Sequence, residues 1–388
     1  MGYARADMNP TLKRLLFALV PVLLAVSLVT AGYYAGRGEA ARVYEREFEL
    51  LALSWTLGAV VEDDKRDGIV EAFFDAEEAR LGMDSFAWDP PSMPAPFVGS
   101  APIAGQHANA TINSMHFRLD HEIELPKPPD VVRILMTGGS TAFGAGAPSQ
   151  DRTIAAYLER MLTPADGSYR VEVLPLAVPA WATTHERILI ENRFVDLEPD
   201  VVLSFSGNND VHWGQRGRNV MWFRTYSEGY FLDLFRRAWR QAGGQALPPP
   251  APAFGQPVAP LLVAERLRRN VSLATHALLM DEVPYVFALQ PTLATTGKRL
   301  SPRESRVLEE RAAKVDGHID YFRECYARID ETLREATREG LRYVDLRGAF
   351  DEFGADTEVF IDSYHFGDRG NEKIAQALAF GLDGLVER

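Results

Sequence analysis

From Val131 onward the chain alternates between two hydrophobic patterns. Short unbroken apolar runs are each followed by a longer stretch in which apolar residues recur every three or four positions. The runs are "VVRILMTG" (131–138), "YRVEVLPLAV" (169–178), "PDVVLSFSG" (199–207), "VPYVFALQP" (283–291) and "LRYVDLRGAF" (341–350). Runs without polar alternation suit strands covered on both faces, as in a parallel sheet. The longer stretches are "SQDRTIAAYLERML" (149–162), "ATTHERILIENRFVD" (182–196), "EERAAKVDGHIDYFRECYARIDETLREATREG" (309–340) and "GNEKIAQALAFGLDGLVE" (370–387). Their spacing predicts helices. Strands alternating with helices predict an α/β fold, with a mainly parallel five-stranded sheet in a three-layer α/β/α arrangement.

Two regions depart from this alternation. Residues 213–260 run from "WFRTYSEGYFLDLFRRAW" into "GGQALPPPAPAFGQP". That is too long for an ordinary connection. It is expected to be an insertion, acting as a lid or as a flap facing a membrane or partner. At the other end, Leu15 to Gly36 holds 22 residues without a charge, closed by Tyr33 and Tyr34. About 20 apolar residues span a bilayer core, and tyrosines suit its interface. The run predicts a transmembrane signal anchor over 15–36, with 1–14 as a cytoplasmic tail. The competing reading is an export signal cleaved near Val29-Thr30-Ala31. Arg5, Lys13 and Arg14 before the run balance Arg37, Arg42 and Arg46 after it, so charge does not set the orientation. A short tail left inside is the simpler topology. It puts a single-pass protein in the inner membrane, with its bulk in the periplasm or outside the cell. Residues 37–110 read as a juxtamembrane helical region and a Pro-rich linker, "WDPPSMPAPFVGSAP".

Composition narrows the function classes. The net charge is -13 over 388 residues, which argues against nucleic acid as a partner, because phosphates need clustered Lys and Arg. Cys325 is the single cysteine. It has no disulfide partner in the chain, and no Cys/His cluster has zinc spacing. No metal and no organic cofactor are expected.

The stretch "RILMTGGSTAFGAG" (133–146) sets glycines around one serine just after a predicted strand. A phosphate cradle needs G-x-x-x-x-G-K-[ST], but Ala145 follows Gly144. A dinucleotide fingerprint needs G-x-G-x-x-G, and glycines at 138, 139, 144 and 146 do not match. The third chemistry is an exposed nucleophile, Ser140, at a strand end where open α/β sheets hold ligands. Its bland alternative is a helix cap. A nucleophile needs a base, an acid to orient the base, and an oxyanion hole. "VFIDSYHFGDRG" supplies Asp362 and His365, three apart, a spacing that lets the carboxylate reach one imidazole nitrogen; alone it reads equally as a capping pair. "SFSGNND" supplies Asn208 and Asn209, whose amides can donate to an oxyanion or simply form a turn. His185, His212 and His276 read as surface or structural, with His212 also placed to line a pocket. Trp181 and Trp213 read as core, or as apolar walls for an acyl or sugar group.

The order Gly-x-Ser, Gly-x-Asn-Asp and Asp-x-x-His resembles the SGNH/GDSL hydrolases over residues 111–388. "INSMHFR", "GGSTAFG", "EPDVVLSFSGNND", "ALQP" and "FIDSYHFGDRGNEKIA" all stand in family order. The resemblance implies an SGNH/flavodoxin-like sheet, Ser140 as nucleophile, His365 as base and Asp362 as its orienting acid. It implies an oxyanion hole made by Ser140, Ala180 and Asn209. Gly139 replaces the family's usual Asp, as in a GGST subgroup. Ala180 in "PLAVPAWATT" replaces a usual glycine. Its N–H survives, but a positive φ there strains an alanine.

The expected function is therefore a serine esterase or O-acyl (acetyl) transferase acting outside the cytoplasm. Its substrate is a small ester, an O-acetylated glycan or a lipid ester, and 37–110 or 213–260 offer surfaces for a protein partner. A different class is a catalytically weak SGNH-like binding or assembly subunit of a membrane or cell-envelope complex. An intracellular nucleotide-binding domain is a third and weaker reading.

Overall fold

The computed structural model describes residues 27, 29–38, 56–217, 236, 239–240, 244 and 255–386. The chain divides into two compact units, residues 1–53 and 54–388. In the first, 29–38 are helical. The expected tail, most of the anchor and most of the insertion lie outside the described residues. Among the described residues no helix is long and apolar enough to cross a membrane.

The second unit is built on five strands: β1 (Val131–Gly138), β2 (Arg170–Pro175), β3 (Val201–Ser206), β4 (Tyr285–Leu289) and β5 (Arg342–Asp345). All four pairings are parallel, in the order β2-β1-β3-β4-β5. Every residue of β1, β3 and β4 is buried, which is why their sequences lack polar alternation. Arg133 lies inside β1, is neutralised there by Glu172 at 2.5 Å, and donates to the Leu197 carbonyl at 2.7 Å.

Among the described residues seven helices flank the sheet: α1 (Ile154–Leu162), α2 (Thr183–Leu189), α3 (Asn208–Gln215), α4 (Pro260–Met280), α5 (Pro302–Lys314), α6 (His318–Ala336) and α7 (Asp368–Gly381). The winding reverses after β2, so right-handed crossovers put α1 on one face and the helices that follow β2, β3 and β4 on the other. Packing agrees: α1 lies on α7, while α4 packs on α2 and α6. At the reversal, between β1 and β3, the strand ends leave a crevice.

Three sequence expectations change. The long helical stretch 309–340 is two helices, because Gly317 turns the chain with φ +65 and α5 begins earlier, at Pro302. The expected insertion does not reach both of its assigned ends: 213–215 finish α3, and Pro260 opens α4 at the helix position that tolerates proline. The expected linker is folded. It forms two antiparallel hairpins, Ser92–Ala95 with Gly99–Pro102 and Gly105–His107 with Ala110–Ile112. Ahead of them, short helices from Leu57 to Gly82 enclose a small core of Leu57, Ile69, Val70, Phe73, Met83 and Phe86. Ile361, from the last loop of the main domain, completes that core.

Candidate active site

Ser140 opens a one-turn helix, Ser140–Phe143, directly after β1. The turn from strand to helix is tight. At Gly138 φ is +154, and a Cβ there would lie 2.3 Å from the Phe205 carbonyl oxygen. A Cβ on Gly139 would lie 2.3 Å from Asn209 Nδ2. The two glycines let the Ser140 backbone come up against β3 and α3.

Ser140 Oγ lies 2.7 Å from His365 Nε2. His365 Nδ1 lies 2.9 Å from Asp362 Oδ2 and 3.0 Å from Oδ1. Asp362 Oδ1 also accepts the Tyr364 and His365 backbone N–H groups at 2.7 and 2.8 Å. Burial pushes the Asp362 carboxyl up, but the His365 imidazole and these N–H donors outweigh it and hold it below its ordinary value. A charged Asp362 facing Nδ1 fixes the tautomer with Nδ1–H, leaving Nε2 free to take the Ser140 proton. The loop is closed behind the pair: Ile361 N–H donates to the His365 carbonyl at 2.8 Å. Buried Glu304 accepts the Val359 and Phe360 N–H groups at 3.0 and 3.2 Å.

The other side of the crevice is formed by the turn that holds Ala180. Val178-Pro179-Ala180-Trp181 is a tight turn closed by Trp181 N–H to the Val178 carbonyl at 3.1 Å. Proline second and a positive φ third define a type II turn. Ala180 takes the third place at φ +67. The strain foreseen for an alanine is therefore present, yet the backbone keeps the conformation a glycine would give it. Two bonds pin the turn to α3: Asn209 Nδ2 donates to the Trp181 carbonyl at 2.7 Å, and Trp213 Nε1 to the Ala180 carbonyl at 3.2 Å. Asn209 Nδ2 has a second N–H and lies close to Gly139, the residue before Ser140. Asn208 is buried, so Asn209 is the amide that faces the site. The Ser140 N–H begins a helix and so has no partner within it. Asp210 ties α3 to α2 by accepting the Thr183 N–H at 3.1 Å and Thr183 Oγ1 at 2.7 Å, and burial pushes its carboxyl up to about 6.

His185 is buried, accepts the Ala182 N–H at 3.0 Å, and is pushed down to about 4 by burial. His276 is exposed and bonded to the Ser272 carbonyl of its own helix. His212 lies one turn after Asn209, with Nδ1 3.3 Å from the Tyr364 hydroxyl. Trp181 and Trp213 are buried in the core. Cys325 is buried too, its thiol pushed up to about 12, which makes it inert. Among the described residues no cluster is able to hold a metal ion.

Two neighbours of the site had escaped the sequence reading. Gln290 accepts Thr141 Oγ1 at 2.9 Å and donates to the Tyr364 carbonyl at 3.0 Å, linking the Ser140 turn to the His365 loop. A polar residue ending the apolar run "YVFAL" was its signal. Trp88 lies on the His365 ring with centroids 4.3 Å apart, and nothing in its spacing announced it. A cavity of about 1260 Å³ opens elsewhere, beside α4 and α6, and neither Ser140, His365, Asp362 nor Asn209 borders it.

The fold and site together define a Ser-His-Asp arrangement in the crevice of an open parallel sheet. No family model and no curated protein matches the chain. Solved structures do. An alpha/beta hydrolase enzyme from the metagenome of Lake Arreo, Spain, is 16% identical with a TM-score of 0.40, over 66% of this chain and 97% of that one. A lipase/acylhydrolase from Enterococcus faecalis is 16% identical with a TM-score of 0.41, over 65% and 96%. An acetyl xylan esterase is 13% identical with a TM-score of 0.39, over 64% and 98%. The chemistry of the site rests on this chain's own residues.

Proposed function

We propose that this chain is a serine ester hydrolase of the SGNH/GDSL type. The observation that carries the reading is the continuous chain from Ser140 Oγ to His365 Nε2 at 2.7 Å and from Nδ1 to Asp362 at 2.9 Å. Ser140 Oγ attacks an ester carbonyl while its proton passes to His365 Nε2. The carbonyl π electrons move to the oxygen, which the Ser140 and Ala180 N–H groups and the Asn209 amide receive. The tetrahedral species collapses, the C–O bond to the alcohol breaks, and His365 returns the proton to the leaving oxygen. Water, deprotonated by His365, then attacks the acyl carbon, the bond to Ser140 Oγ breaks, and His365 returns the proton to Oγ. A sugar hydroxyl in place of water makes the same step an acyl transfer. Every atom moved comes from the substrate, water or these side chains.

The finer reading is a protein held to the membrane by residues 15–36, acting on an O-acetylated glycan or lipid ester outside the cytoplasm. The support for the location is the uncharged run alone.

The test is a fluorophosphonate probe together with hydrolysis of p-nitrophenyl acetate, comparing the wild type with Ser140→Ala. Labelling is expected only with Ser140 present, and kcat is expected to fall by about 10³-fold or more. An unlabelled, inactive wild type leaves the binding or assembly subunit as the better reading.

A further inference from the structure

The segment expected to be a linker reaches into the site. Residues 56–112 grip the His365 loop at several points. Ile361, next to Asp362, is buried in the small core of this N-terminal module. The Phe74 N–H donates to Asp368 Oδ1 at 2.9 Å, and Arg369 Nη2 to the Phe73 carbonyl at 3.0 Å. The same module grips the Ser140 side. Gly146 N–H donates to the Ala87 carbonyl at 2.7 Å. Asn109 accepts the Ala87 N–H at 2.8 Å and donates to the Ala147 and Pro148 carbonyls at 2.9 and 2.8 Å. Trp88 follows Ala87 directly, so the two bonds at Ala87 fix the backbone entering it. Its ring is partly buried against both hydrophobic cores. It lies 4.3 Å from the His365 ring, tilted at 55°, and a Cβ on Gly146 would touch it at 3.2 Å.

We propose that Trp88 is a positioning residue of the Ser140–His365–Asp362 site, whose indole holds the His365 ring and stabilises the imidazolium formed when Ser140 gives up its proton. An indole face attracts a cation within about 6 Å of its centroid. The neutral ring gains less from that face than the cation does. The contact therefore favours the transition state over the resting state, which is what raises kcat. It also makes residues 56–112 part of the active site rather than a spacer. The inference rests on the reading of His365 as base, and its test separates the two.

The other charged groups on elements packed around His365 stay in place in the variants. They include Asp362 on its own loop, Asp89 beside Trp88, His212 on α3, Arg303 and Arg311 on α5 bonded to the Ile361 carbonyl and the Tyr364 hydroxyl, and Asp368 on α7 paired with Arg152. Trp88→Leu is expected to lower kcat by about 5- to 30-fold with a smaller change in KM, and to move the acid limb of kcat/KM down by about one pH unit. The sign follows from the cation: without the indole the imidazolium is less stable, so His365 stays neutral to lower pH. Trp88→Phe keeps an aromatic face and is expected to fall between the two; it also serves if the leucine variant does not fold. The His365 Cε1–H resonance, assigned with His365→Gln and titrated by NMR, should move the same way in protein carrying Ser140→Ala. That readout does not need turnover: an inactive wild type would sink the esterase reading, while the His365 titration would still decide whether Trp88 acts on the His365 ring. An unmoved acid limb and an unmoved His365 titration in both Trp88 variants would overturn the proposal and leave Trp88 as packing alone.

Discussion

The two sides of the crevice are built differently. The acid–base side, Asp362 to His365, is fixed by groups from three directions. Glu304 of α5 takes two of the loop's N–H groups and is itself neutralised by Lys298 at 2.7 Å, both side chains fully buried. Arg303 bonds the Ile361 carbonyl, and the N-terminal module closes over Ile361. None of the loop's residues has a positive φ. The side proposed to hold the oxyanion is one four-residue turn, pinned to α3 by two hydrogen bonds, and its alanine sits at φ +67. A left-handed conformation costs a residue with a Cβ about 1–2 kcal/mol. The base is thus held without strain, while the donor side keeps its shape against a local preference. Strain of this kind persists only where surrounding bonds over-determine the conformation, and here Asn209 and Trp213 supply those bonds.

The largest effect tests the unstrained side. Asp362→Asn keeps the shape of the carboxylate but removes its charge and lets the imidazole take the wrong tautomer. A fall in kcat of about 10³-fold or more is expected, with the melting temperature nearly unchanged because Glu304 and Arg303 still hold the loop. A small fall would mean that the loop, and not the charge, orients His365.

The next effect tests the donor side. Asn209→Ala removes one proposed oxyanion donor and also one of the two bonds on the turn. The expected loss is about 10²- to 10³-fold in kcat, with KM little changed, since the donor acts on charge that exists only in the transition state. Equal losses in kcat and in affinity for a neutral substrate analogue would place Asn209 in ground-state binding instead.

The sheet was legible because β1, β3 and β4 are buried on both faces and show it as unbroken apolar runs. The triad was legible because each polar cluster follows a strand or precedes α7, so the topology brings them to one edge. Asp362 and His365 were the easiest to pair, being three residues apart. The strain at Ala180 was legible as a condition: the alanine stands where a glycine is usual, and a positive φ there strains a residue with a Cβ. What stayed hidden depends on distant partners. Trp88 and His365 are brought together by two hairpins whose prolines look like linker sequence. The Glu304 clamp reaches across the fold to Val359 and Phe360. α4 was lost because its proline start abuts the Pro-rich insertion.

The smallest effect bears most directly on the comparison. Ala180→Gly relieves a left-handed alanine but gives the unfolded chain more freedom, a cost of about 0.4–1 kcal/mol that offsets much of the gain. Stability by chemical unfolding should move by less than about 1 kcal/mol, and kcat should stay the same or rise a few-fold, because the backbone already has the glycine-like shape. Ala180→Val carries the sharper result. A β-branched residue at positive φ is a true outlier, so the turn must open or the fold must bear about 1–3 kcal/mol. If the Ala180 N–H serves the oxyanion, opening the turn moves it, and kcat falls well beyond what the loss of stability explains. A valine variant that is less stable but keeps its kcat would remove Ala180 from the hole. The donor side would then reduce to Ser140 and Asn209, and the strain at position 180 would belong to packing against Trp213 alone.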